Sequence, residues 1–489
     1  MNQKLARVAF ALASTTVVLA RVCAQVPFTL DTTFRTAIGS QYVNSTLPLP
    51  DGTILASGVM RFPSEMTDKR LVRLHPTGQR DETFFNSGLG QGKIVPWLGK
   101  VYVAGTYVIR RVLLPSGQND ASFALGSTGI PYFTPFQGAD YHVFPDGRLL
   151  MSGSHTLSDM ERGFVGDYNL IWFTNSGYLD TTRTHRKGNG TIFDFAELAD
   201  GKFICSGYAT QFDGHPCDAI FRVHGDGALD TTFNSNVYNG RAFAYLPLPD
   251  GRVYAGGRFR RSVAPADTLR LVRFMPDGAL DPSFSIPHFS LGALPGIPEA
   301  VVSYLYPWDD GKFIATGQFQ YVNGLPRRGI CMLDSTGTVT DAFDDCGVGS
   351  FVYQGFTYAT IESVVRDTVN NYLYVNGAYT GYSDGATNDT QQRFVTRLHV
   401  GDITTGATSA IAPPVISLYP NPSSGNVTLE LERVPGNALL VVRDALGREV
   451  LRQRVTDHYT MLTLSSSGMY VMELWDGTSR VAVRRIVVE

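Results

Sequence analysis

The hydrophobic pattern of the chain consists of short apolar segments, each introduced by a turn and closed by glycine. Its clearest form is an Asp-Gly pair followed by an apolar strand, with a glycine seven residues after the Asp. Asp-Gly is a preferred pair for a two-residue hairpin turn, because both positions tolerate a positive φ. Bulky and small apolar residues alternate within the strand, as in Val253-Tyr254-Ala255, which suits packing on both faces. Five copies lie at 51–58, 146–153, 200–207, 250–257 and 310–317, and two copies without the Asp-Gly pair lie at 98–105 and 370–377.

Two further patterns follow each of these segments in a fixed order. The first is a strand that ends before a turn glycine, as in Arg70-Leu71-Val72-Arg73-Leu74 before Gly78. The second is Leu-Asp-x-x-Phe, clearest at 30–34 and 229–233. We expect its Asp to cap its own turn and its Phe to join the core, rather than to bind a ligand. The other turn glycines are Gly117, Gly177, Gly227, Gly278, Gly337 and Gly401, and the other Asp and Phe positions are Asp81 and Phe84, Asp120 and Phe123, Asp180 with Arg183 in the Phe position, Asp281 and Phe284, and a shifted Asp341 with Phe343.

Each pattern therefore occurs seven times, with a period of roughly 50 residues that is typical of propellers and solenoids. The phase of the repeats favours a closed ring. The seventh unit runs past Gly401 without a Leu-Asp-x-x-Phe, and the missing copy stands ahead of the first unit, at 30–34. A ring completed by the N-terminal segment leaves no long sheet edge exposed. The sequence predicts an all-β protein in which residues 25–401 form a seven-bladed β-propeller closed by its N-terminal segment.

The three patterns in this order resemble the delta-sixty repeat family of bacterial exported proteins. The resemblance covers about residues 28–401 and is specific in its three-part order. It implies a β-propeller and no common activity. The second and seventh units, at Leu98 and Asn370, depart most from the family pattern.

A different module follows the repeats. Residues 402–415 are rich in Thr, Gly and Pro and are predicted to be a linker, and residues 416–489 contain short alternating strands that predict a small antiparallel β-sandwich. Its motifs resemble the type IX secretion sorting domain. The resemblance implies the type IX machinery as a partner and export to the medium or the outer cell surface; the alternative is an ordinary carbohydrate-binding or adhesion sandwich. The motif residues are Tyr419, Pro420, Asn421, Pro422, Asp444, Gly447, Gly468 and Tyr470.

The N-terminus predicts export as well. Lys4 and Arg7 precede an apolar run that is too short to span a membrane, and residues 1–24 are predicted to be a signal peptide cleaved after Ala24. A lipidated Cys23 is the less favoured alternative. Export would allow disulfides, for which Cys205–Cys217 and Cys331–Cys346 keep each bridge within one repeat; four buried thiols are the alternative.

The net charge and the absence of known motifs argue against several classes of function but do not identify one. A formal net charge of −3 without a basic run argues against nucleic acid and anionic membranes as partners. No catalytic, phosphate-binding or metal-binding motif is present, no cofactor is predicted, and a monomer is expected. Two hypotheses remain: a secreted or surface binding or scaffold module for a glycan or protein, and a propeller hydrolase or lyase that acts through carboxylates and His at the channel mouth. Candidate channel-mouth residues, on the strands before the Asp-Gly turns, are Asp140, His142, Asp194, Glu197, Tyr245, Tyr304 and Glu362.

Overall fold

The computed structural model describes residues 28–489 except for ten stretches, and these residues form an all-β protein. Within them, helical structure is limited to single 3-10 turns at Asp309–Gly311 and Asp341–Phe343. No helix in the described part of the chain is long and apolar enough to cross a membrane. The predicted signal peptide (1–24) and linker (402–415) lie outside the described residues. The stretches not described within 28–489 are 64, 86–89, 126–129, 263–267, 293–298, 402–415, 432–433, 435–437, 446 and 477–478.

The repeats form thirty of the strands, and most of them are strongly apolar and short, as the sequence predicts. In chain order they are β1 (Phe28–Leu30), β2 (Ser40–Pro48), β3 (Ile54–Arg61), β4 (Lys69–Leu74), β5 (Ile94–Trp97), β6 (Lys100–Ala104), β7 (Ile109–Leu113), β8 (Phe133–Val143), β9 (Leu149–Asp159), β10 (Phe164–Phe173), β11 (Ile192–Glu197), β12 (Phe203–Gly207), β13 (Gln211–Phe212), β14 (His215–Pro216), β15 (Ile220–Val223), β16 (Asn239–Pro247), β17 (Val253–Arg260), β18 (Thr268–Phe274), β19 (Phe289–Ser290), β20 (Val301–Pro307), β21 (Phe313–Gln318), β22 (Tyr321–Val322), β23 (Leu325–Pro326), β24 (Ile330–Leu333), β25 (Cys346–Val348), β26 (Phe351–Tyr353), β27 (Phe356–Tyr358), β28 (Thr360–Asp367), β29 (Tyr372–Asp384) and β30 (Asn388–Val400).

Most of these strands build seven antiparallel sheets, one for each sequence unit, which we number 1 to 7; the others form the small sheets β13-β14, β19-β22-β23 and β26-β27. Sheets 1 to 6 have the orders β2-β3-β4, β5-β6-β7, β8-β9-β10, β11-β12-β15, β16-β17-β18 and β20-β21-β24, and sheet 7 contains β28-β29-β30 with β1 and β25 at its edges. The Asp-Gly turn joins the first strand to the second. In sheets 1 to 6 the chain after the turn glycine folds back through a single bridge, as Leu74 with Arg80 does. In sheet 7 that outer position is taken by β1, with Phe28 opposite Val400 and Leu30 opposite Leu398.

Successive sheets contact one another through their first strands. Within the described residues, β2 contacts β5, β8 contacts β11, β11 contacts β16, β16 contacts β20 and β20 contacts β28. Sheets 2 and 3 meet at Lys93 and Tyr141, whose hydroxyl donates to the Lys93 carbonyl at 2.9 Å. The first strand of sheet 7, β28, also contacts β2 of sheet 1. Buried apolar clusters fill the spaces between the sheets, and one of them combines Phe34 and Val43 with Tyr374.

The closing glycines have a steric cause that the sequence pattern alone does not reveal. In sheets 1, 4, 5, 6 and 7 the first strand has one extra residue, a β-bulge, directly opposite the closing glycine, and sheet 3 has a wider irregularity at the same place. A Cβ on Gly58 would overlap the Tyr42 carbonyl oxygen, and one on Gly257 would overlap that of Arg241. Only glycine therefore allows the bulge. We call the end of each sheet with the closing glycine the glycine end, and the end with the Asp-Gly turn the turn end.

The Leu-Asp-x-x-Phe segment holds neighbouring sheets together. Asp81 accepts hydrogen bonds from the Thr83 backbone N–H and hydroxyl at 2.8 and 2.6 Å, which confirms the predicted turn-capping role. Its other oxygen accepts from Arg73, whose guanidinium also lies over the ring of Phe84 and donates to Pro115 O in sheet 2. The same unit recurs with Arg111, Arg222, Arg273 and Arg397. In the last case Arg397 of β30 binds Asp31 and donates at 2.8 Å to Pro76 O of sheet 1.

In two sheets another residue replaces this arginine, and the contacts of the Leu-Asp-x-x-Phe segment change there. Trp172 takes its position in sheet 3, where the sequence has Arg183 in place of the Phe, and Asp180 N–H donates to Trp172 O at 2.9 Å. Met332 takes the position in sheet 6, where Thr340 instead caps the turn through its hydroxyl. The irregular copies of Leu-Asp-x-x-Phe, at Asp180 and Asp341, thus correspond to the sheets that lack the arginine.

The C-terminal residues form two sheets packed face to face, in agreement with the predicted sandwich. One sheet has the order β31-β32-β35 and the other β34-β33-β36-β37, and a single apolar core that includes Leu429, Leu440 and Met472 lies between them. The strands are β31 (Ile416–Tyr419), β32 (Asn426–Leu431), β33 (Ala438–Asp444), β34 (Glu449–Arg454), β35 (Tyr459–Thr463), β36 (Gly468–Asp476) and β37 (Ser479–Val488).

Candidate functional site

The sequence-predicted candidates all lie on first strands, the strands that contact neighbouring sheets. Asp140 and His142 are on β8, Asp194 and Glu197 on β11, Tyr245 on β16, Tyr304 on β20 and Glu362 on β28. Glu197 is exposed and the others are half-buried.

Four of these residues come together with a lysine that the sequence analysis missed. Lys93 Nζ lies 2.9 Å from Asp140 Oδ1 and donates to the Tyr141 carbonyl at 2.8 Å. Enclosure by protein raises the pKa of Asp194 to about 8; the charge of Asp140 adds to the rise, whereas Arg241 and Lys93 oppose it. We call Lys93, Asp140, Asp194, Tyr245 and Tyr304 the polar cluster.

Tyr304 and Tyr245 belong to the cluster because the charges of Asp140 and Asp194 act on their hydroxyl groups. Burial raises the pKa of Tyr304 to about 12, with contributions from Tyr306 and from the charge of Asp140. Burial also raises the pKa of Tyr245 well above its ordinary value, and Asp194 adds to that rise. Sheets 2 to 6 therefore contribute to one polar region.

Three candidates lie outside the cluster. His142 packs against the rings of Phe144 and Phe203, and its Nε2 lies 3.4 Å from Glu197 Oε2. Burial lowers the pKa of His142 to about 4, with a further contribution from Lys93, so the imidazole is neutral at pH 7. Burial raises the pKa of Glu362 to about 7, and its charge acts on Tyr42 of sheet 1. Among the described residues, no group of three or more His, Cys, Asp and Glu side chains is arranged to hold a metal ion.

A stack of aromatic and guanidinium groups adjoins the cluster at the glycine end. Phe193 and Phe243 are the bulge residues of sheets 4 and 5, and Arg241 lies over both rings, with its Cζ 4.1 and 4.4 Å from the two centroids. Tyr208 packs on Phe193 with ring centroids 5.2 Å apart. These residues were not predicted, because bulge positions share no residue type from unit to unit.

Exposed aromatic side chains continue along the glycine ends of the sheets. Tyr208 is 59% exposed and Tyr238 is 64% exposed. Each belongs to a loop or strand end beside a closing glycine, which places these rings on the same side of the sheets. The full set is Tyr107, Tyr132, Phe136, Tyr208, Tyr238, Tyr321 and Phe356.

The chain leaves the repeats on the opposite side. Val400, the last residue of β30, donates its N–H to Asn371 O in the turn of sheet 7, so residue 401 lies at the turn end. Arg485 of the sandwich donates to Pro50 O, beside the Asp-Gly turn of sheet 1, at 2.7 Å. The cleft between these parts, with a volume of about 1160 Å³, contains none of the polar cluster.

The predicted disulfides are absent from the structure, in which Cys205, Cys217, Cys331 and Cys346 are free thiols. Cys331 Sγ donates to Ala315 O at 3.8 Å, and Cys346 Sγ to Asp344 O at 3.4 Å. Burial raises the pKa of Cys217 to about 12, and Cys205 is raised further. The thiols thus pack as small apolar groups, which was the alternative reading. The two local pairings stay a prediction for conditions under which disulfides form.

The sorting-motif residues hold the sandwich together. The Asn421 side chain donates to Arg485 O at 2.7 Å and accepts from Val487 N–H at 2.8 Å, which ties the Tyr419–Pro422 segment to the last strand. Gly447 has a φ of 78° in a hairpin turn that Asp444 caps through Arg448 N–H at 3.0 Å. After Gly468, the buried Tyr470 donates to Ser466 O at 2.7 Å.

Family comparisons agree with both parts of this description. A family model described as a domain of unknown function (DUF5122), beta-propeller, matches residues 49–84, 198–233 and 248–284. A model described as a secretion system C-terminal sorting domain matches residues 417–489. No curated protein matches the chain in sequence.

Solved structures resemble the chain only distantly. An extracellular domain assigned to a hybrid two-component system of B. thetaiotaomicron is 12% identical, with a TM-score of 0.41 over 94% of this chain and 59% of that one. PorZ, a surface component of the type IX secretion system of Porphyromonas gingivalis, is 11% identical, with a TM-score of 0.36 over 90% and 58%. The chain spans just under three fifths of the length of these two proteins. An oligogalacturonate lyase from Vibrio parahaemolyticus is 10% identical, with a TM-score of 0.42 over 77% and 92%.

At these values none of the three informs the activity of the chain. The sorting domain, in contrast, indicates export to the cell surface or beyond and implies an interaction with the secretion machinery. The chain therefore combines β-propeller repeats of the DUF5122 (delta-60) type with a C-terminal type IX secretion sorting domain.

Proposed function

We propose that the seven sheets close into one ring and that the ring is a non-catalytic binding module, released or displayed at the cell surface, for an extracellular glycan or protein. The finer domain division follows from this proposal: a signal peptide at 1–24, a propeller at 25–401, a linker at 402–415 and a sorting domain at 416–489.

Closure is supported by contacts between the two ends of the repeat region. Beyond the β1–β30 pairing, Leu30 N–H donates to Asp384 Oδ2 at 2.7 Å and Thr46 Oγ1 donates to Asn376 Oδ1 at 2.9 Å, which joins sheet 1 to sheet 7. The Asp31–Arg397 pair is almost fully buried and reaches sheet 1 through Pro76. An open array would instead leave a long sheet edge exposed, which is a ready site for pairing with other chains.

One observation carries the binding function: exposed aromatic rings are grouped at the glycine ends, opposite the end from which the sorting domain follows. Contiguous apolar patches on a protein surface often mark binding sites, and aromatic side chains are enriched in such sites. Attachment through the turn end leaves the glycine ends free to face a ligand.

The test is binding by the purified mature protein to immobilised polysaccharides and glycoproteins. We expect Tyr208→Ala and Tyr238→Ala to weaken binding at least tenfold without a change in the melting temperature. Tyr178→Ala is the matched control, because Tyr178 is 50% exposed beside a turn glycine at the turn end. An equal loss in the control, or full binding by both test variants, would reject the proposed surface.

A hydrolase or lyase is the second candidate, and the polar cluster is the observation that favours it. Asp194, with a pKa near 8, is suited to hold a proton beside the Asp140 carboxylate that pairs with Lys93. Neighbouring groups with separated pKa values can act as acid and base. Cleavage of any bound polysaccharide that is abolished by both Asp194→Asn and Asp140→Asn, with binding retained, would establish the enzyme over the binding module.

A further inference from the structure

Sheet 5 carries a concentration of arginines at its glycine end. Arg241 on β16 lies directly opposite Arg258 on β17, and Arg260 follows two residues later on the same side of the sheet. Arg270, on β18, is close enough that the charges of Arg258 and Arg260 act on its guanidinium. We call these four residues the arginine cluster.

The cluster has too few acidic partners for its charge. Glu299 binds both Arg258 and Arg270, the latter at 3.0 Å. Arg241 and Arg260 form no side-chain hydrogen bond or ion pair with any described residue. The four guanidinium groups and Glu299 together carry a local excess of three positive charges, in a chain whose formal net charge is −3.

Part of this excess is buried. The Nε and Nη1 groups of Arg270 are enclosed by protein and have no hydrogen-bond partner among the described residues. Burial lowers the pKa of Arg270 despite the opposing effect of Glu299, and the neighbouring arginines add to that decrease. Unpaired buried donors and repelling like charges are both costly, and an oxyanion bound among them would reduce both costs.

The arginine cluster is continuous with the aromatic stack. Arg241 belongs to both, since its guanidinium lies over Phe193 and Phe243. Tyr208 extends the stack beyond Phe193, and the exposed Tyr238 donates its backbone N–H to Arg260 O at 2.7 Å. A ligand on this surface would therefore meet flat apolar rings and guanidinium groups side by side.

We propose that this surface binds an acidic polysaccharide, with uronate carboxylates or sulfate esters held by the arginine cluster and sugar rings packed on Tyr208 and Tyr238. Guanidinium groups bind carboxylate and sulfate oxygens through paired hydrogen bonds, whereas the faces of sugar rings suit aromatic side chains. The extracellular destination favours a polysaccharide over a nucleic acid. The inference rests on the proposed binding function and specifies its ligand.

The experiment measures binding of the mature protein to polygalacturonate and to dextran sulfate, which separates uronate from sulfate ester. Methyl-esterified polygalacturonate and unmodified dextran are the uncharged counterparts. We expect at least one acidic polymer to bind at least tenfold more tightly than its counterpart, and binding to weaken as salt screens the charges. Binding to neither acidic polymer, or equal binding to charged and uncharged forms, overturns the inference.

Variants assign the site. We expect Arg241→Gln and Arg260→Gln each to weaken binding by about tenfold or more, the usual effect of losing a charge-assisted hydrogen bond. Arg148→Gln is the control, because Arg148 is an arginine at the turn end of sheet 3. Unchanged melting temperatures show that the fold is retained. Equal losses in the control would place the binding elsewhere and overturn the proposal.

Two further polyanions distinguish the ligand class. Single-stranded DNA or polyglutamate that binds as tightly, with the same dependence on Arg241 and Arg260, would overturn the choice of a polysaccharide in favour of a nucleic acid or an acidic protein. If Tyr208→Ala impairs binding to a neutral glycan whereas Arg241→Gln does not, the binding function stands and the acidic-ligand inference fails.

Discussion

Replacing Asp31 with asparagine removes the ion pair between the N-terminal segment and sheet 7. Asp31 accepts from Arg397 Nε and Nη2 at 2.8 and 2.7 Å, and the two side chains are only 4% and 8% exposed. Asparagine can still cap the turn at Thr33, but it presents an amide N–H₂ group or a neutral oxygen to a buried guanidinium. Breaking a buried pair in this way costs about 3–5 kcal/mol.

The matched control is Asp81→Asn. Asp81 binds Arg73 and Thr83 with nearly the same geometry, at 2.7 Å to the guanidinium and 2.6 Å to the hydroxyl. Arg73 precedes Asp81 by eight residues, whereas 366 residues separate Asp31 from Arg397. Both variants should lower the melting temperature by similar amounts. Only Asp31→Asn should release a segment that is held by non-covalent contacts alone.

Hydrogen exchange measured by mass spectrometry separates the two effects. The amides of Leu30 and Asp31 donate to Asp384 Oδ2 and Arg397 O, and they exchange when the segment opens. A cost of about 3 kcal/mol corresponds to roughly 100-fold faster exchange, at about 1.4 kcal/mol for each factor of ten. We expect this acceleration in peptides covering 28–36 of Asp31→Asn and much less in Asp81→Asn. Wild-type exchange in Asp31→Asn, or equal acceleration in both variants, would refute the closure argument.

Three further outcomes follow from the structure. Gly58→Ala should cost about 2–3 kcal/mol of stability, because its Cβ would overlap Tyr42 O. Gly39→Ala is the control and should leave the melting temperature nearly unchanged, because the nearest atom to its Cβ is at 3.4 Å. A Gly58→Ala variant as stable as the wild type would contradict the bulge explanation. The hydroxyl of Thr83, together with Arg73, lowers the pKa of Asp81 to about 2. The stabilisation from Asp81 is therefore complete above about pH 4 and is lost as the pH falls towards 2. A melting temperature that stays constant down to pH 2.5 would contradict this prediction. A chain that ends at Gly406 should melt like the intact propeller yet remain in the periplasm, and its appearance outside fractionated cells would contradict the sorting role.

The sequence predicted the parts of the fold that recur. Asp-Gly pairs, turn glycines and Leu-Asp-x-x-Phe segments correspond to turns and strands of the sheets. The copy at 30–34, which stands ahead of the first unit, predicted that the N-terminal segment joins the last sheet, as β1 joins sheet 7. Recurrence was sufficient because each pattern has a local cause, such as a turn conformation or a capped backbone N–H.

The candidate site was less predictable because its residues do not recur. The bulge residues are Asn44, Phe193, Phe243, Ser303 and Glu362 in five sheets, so no shared residue marks the position. Lys93 lies in one of the two units that lack an Asp-Gly pair and depart most from the repeat pattern. The arginine of the Arg–Asp–Phe unit was visible in the repeats at 70–74 and 270–274, but its bond to the next sheet becomes evident only in three dimensions.

The pairing of β1 with β30 has a consequence for the order of folding. The first described residues are made long before Arg397, so sheet 7 is completed only after nearly the whole repeat region has been synthesised. Contacts of such large sequence separation form slowly, because the entropy of the intervening loop must be lost first. Until then β30 has an unpaired edge that could associate with other chains. Moving residues 28–36 to follow residue 401 would make this pairing local, and such a circular permutant should fold faster than the natural chain while it keeps the same sheets.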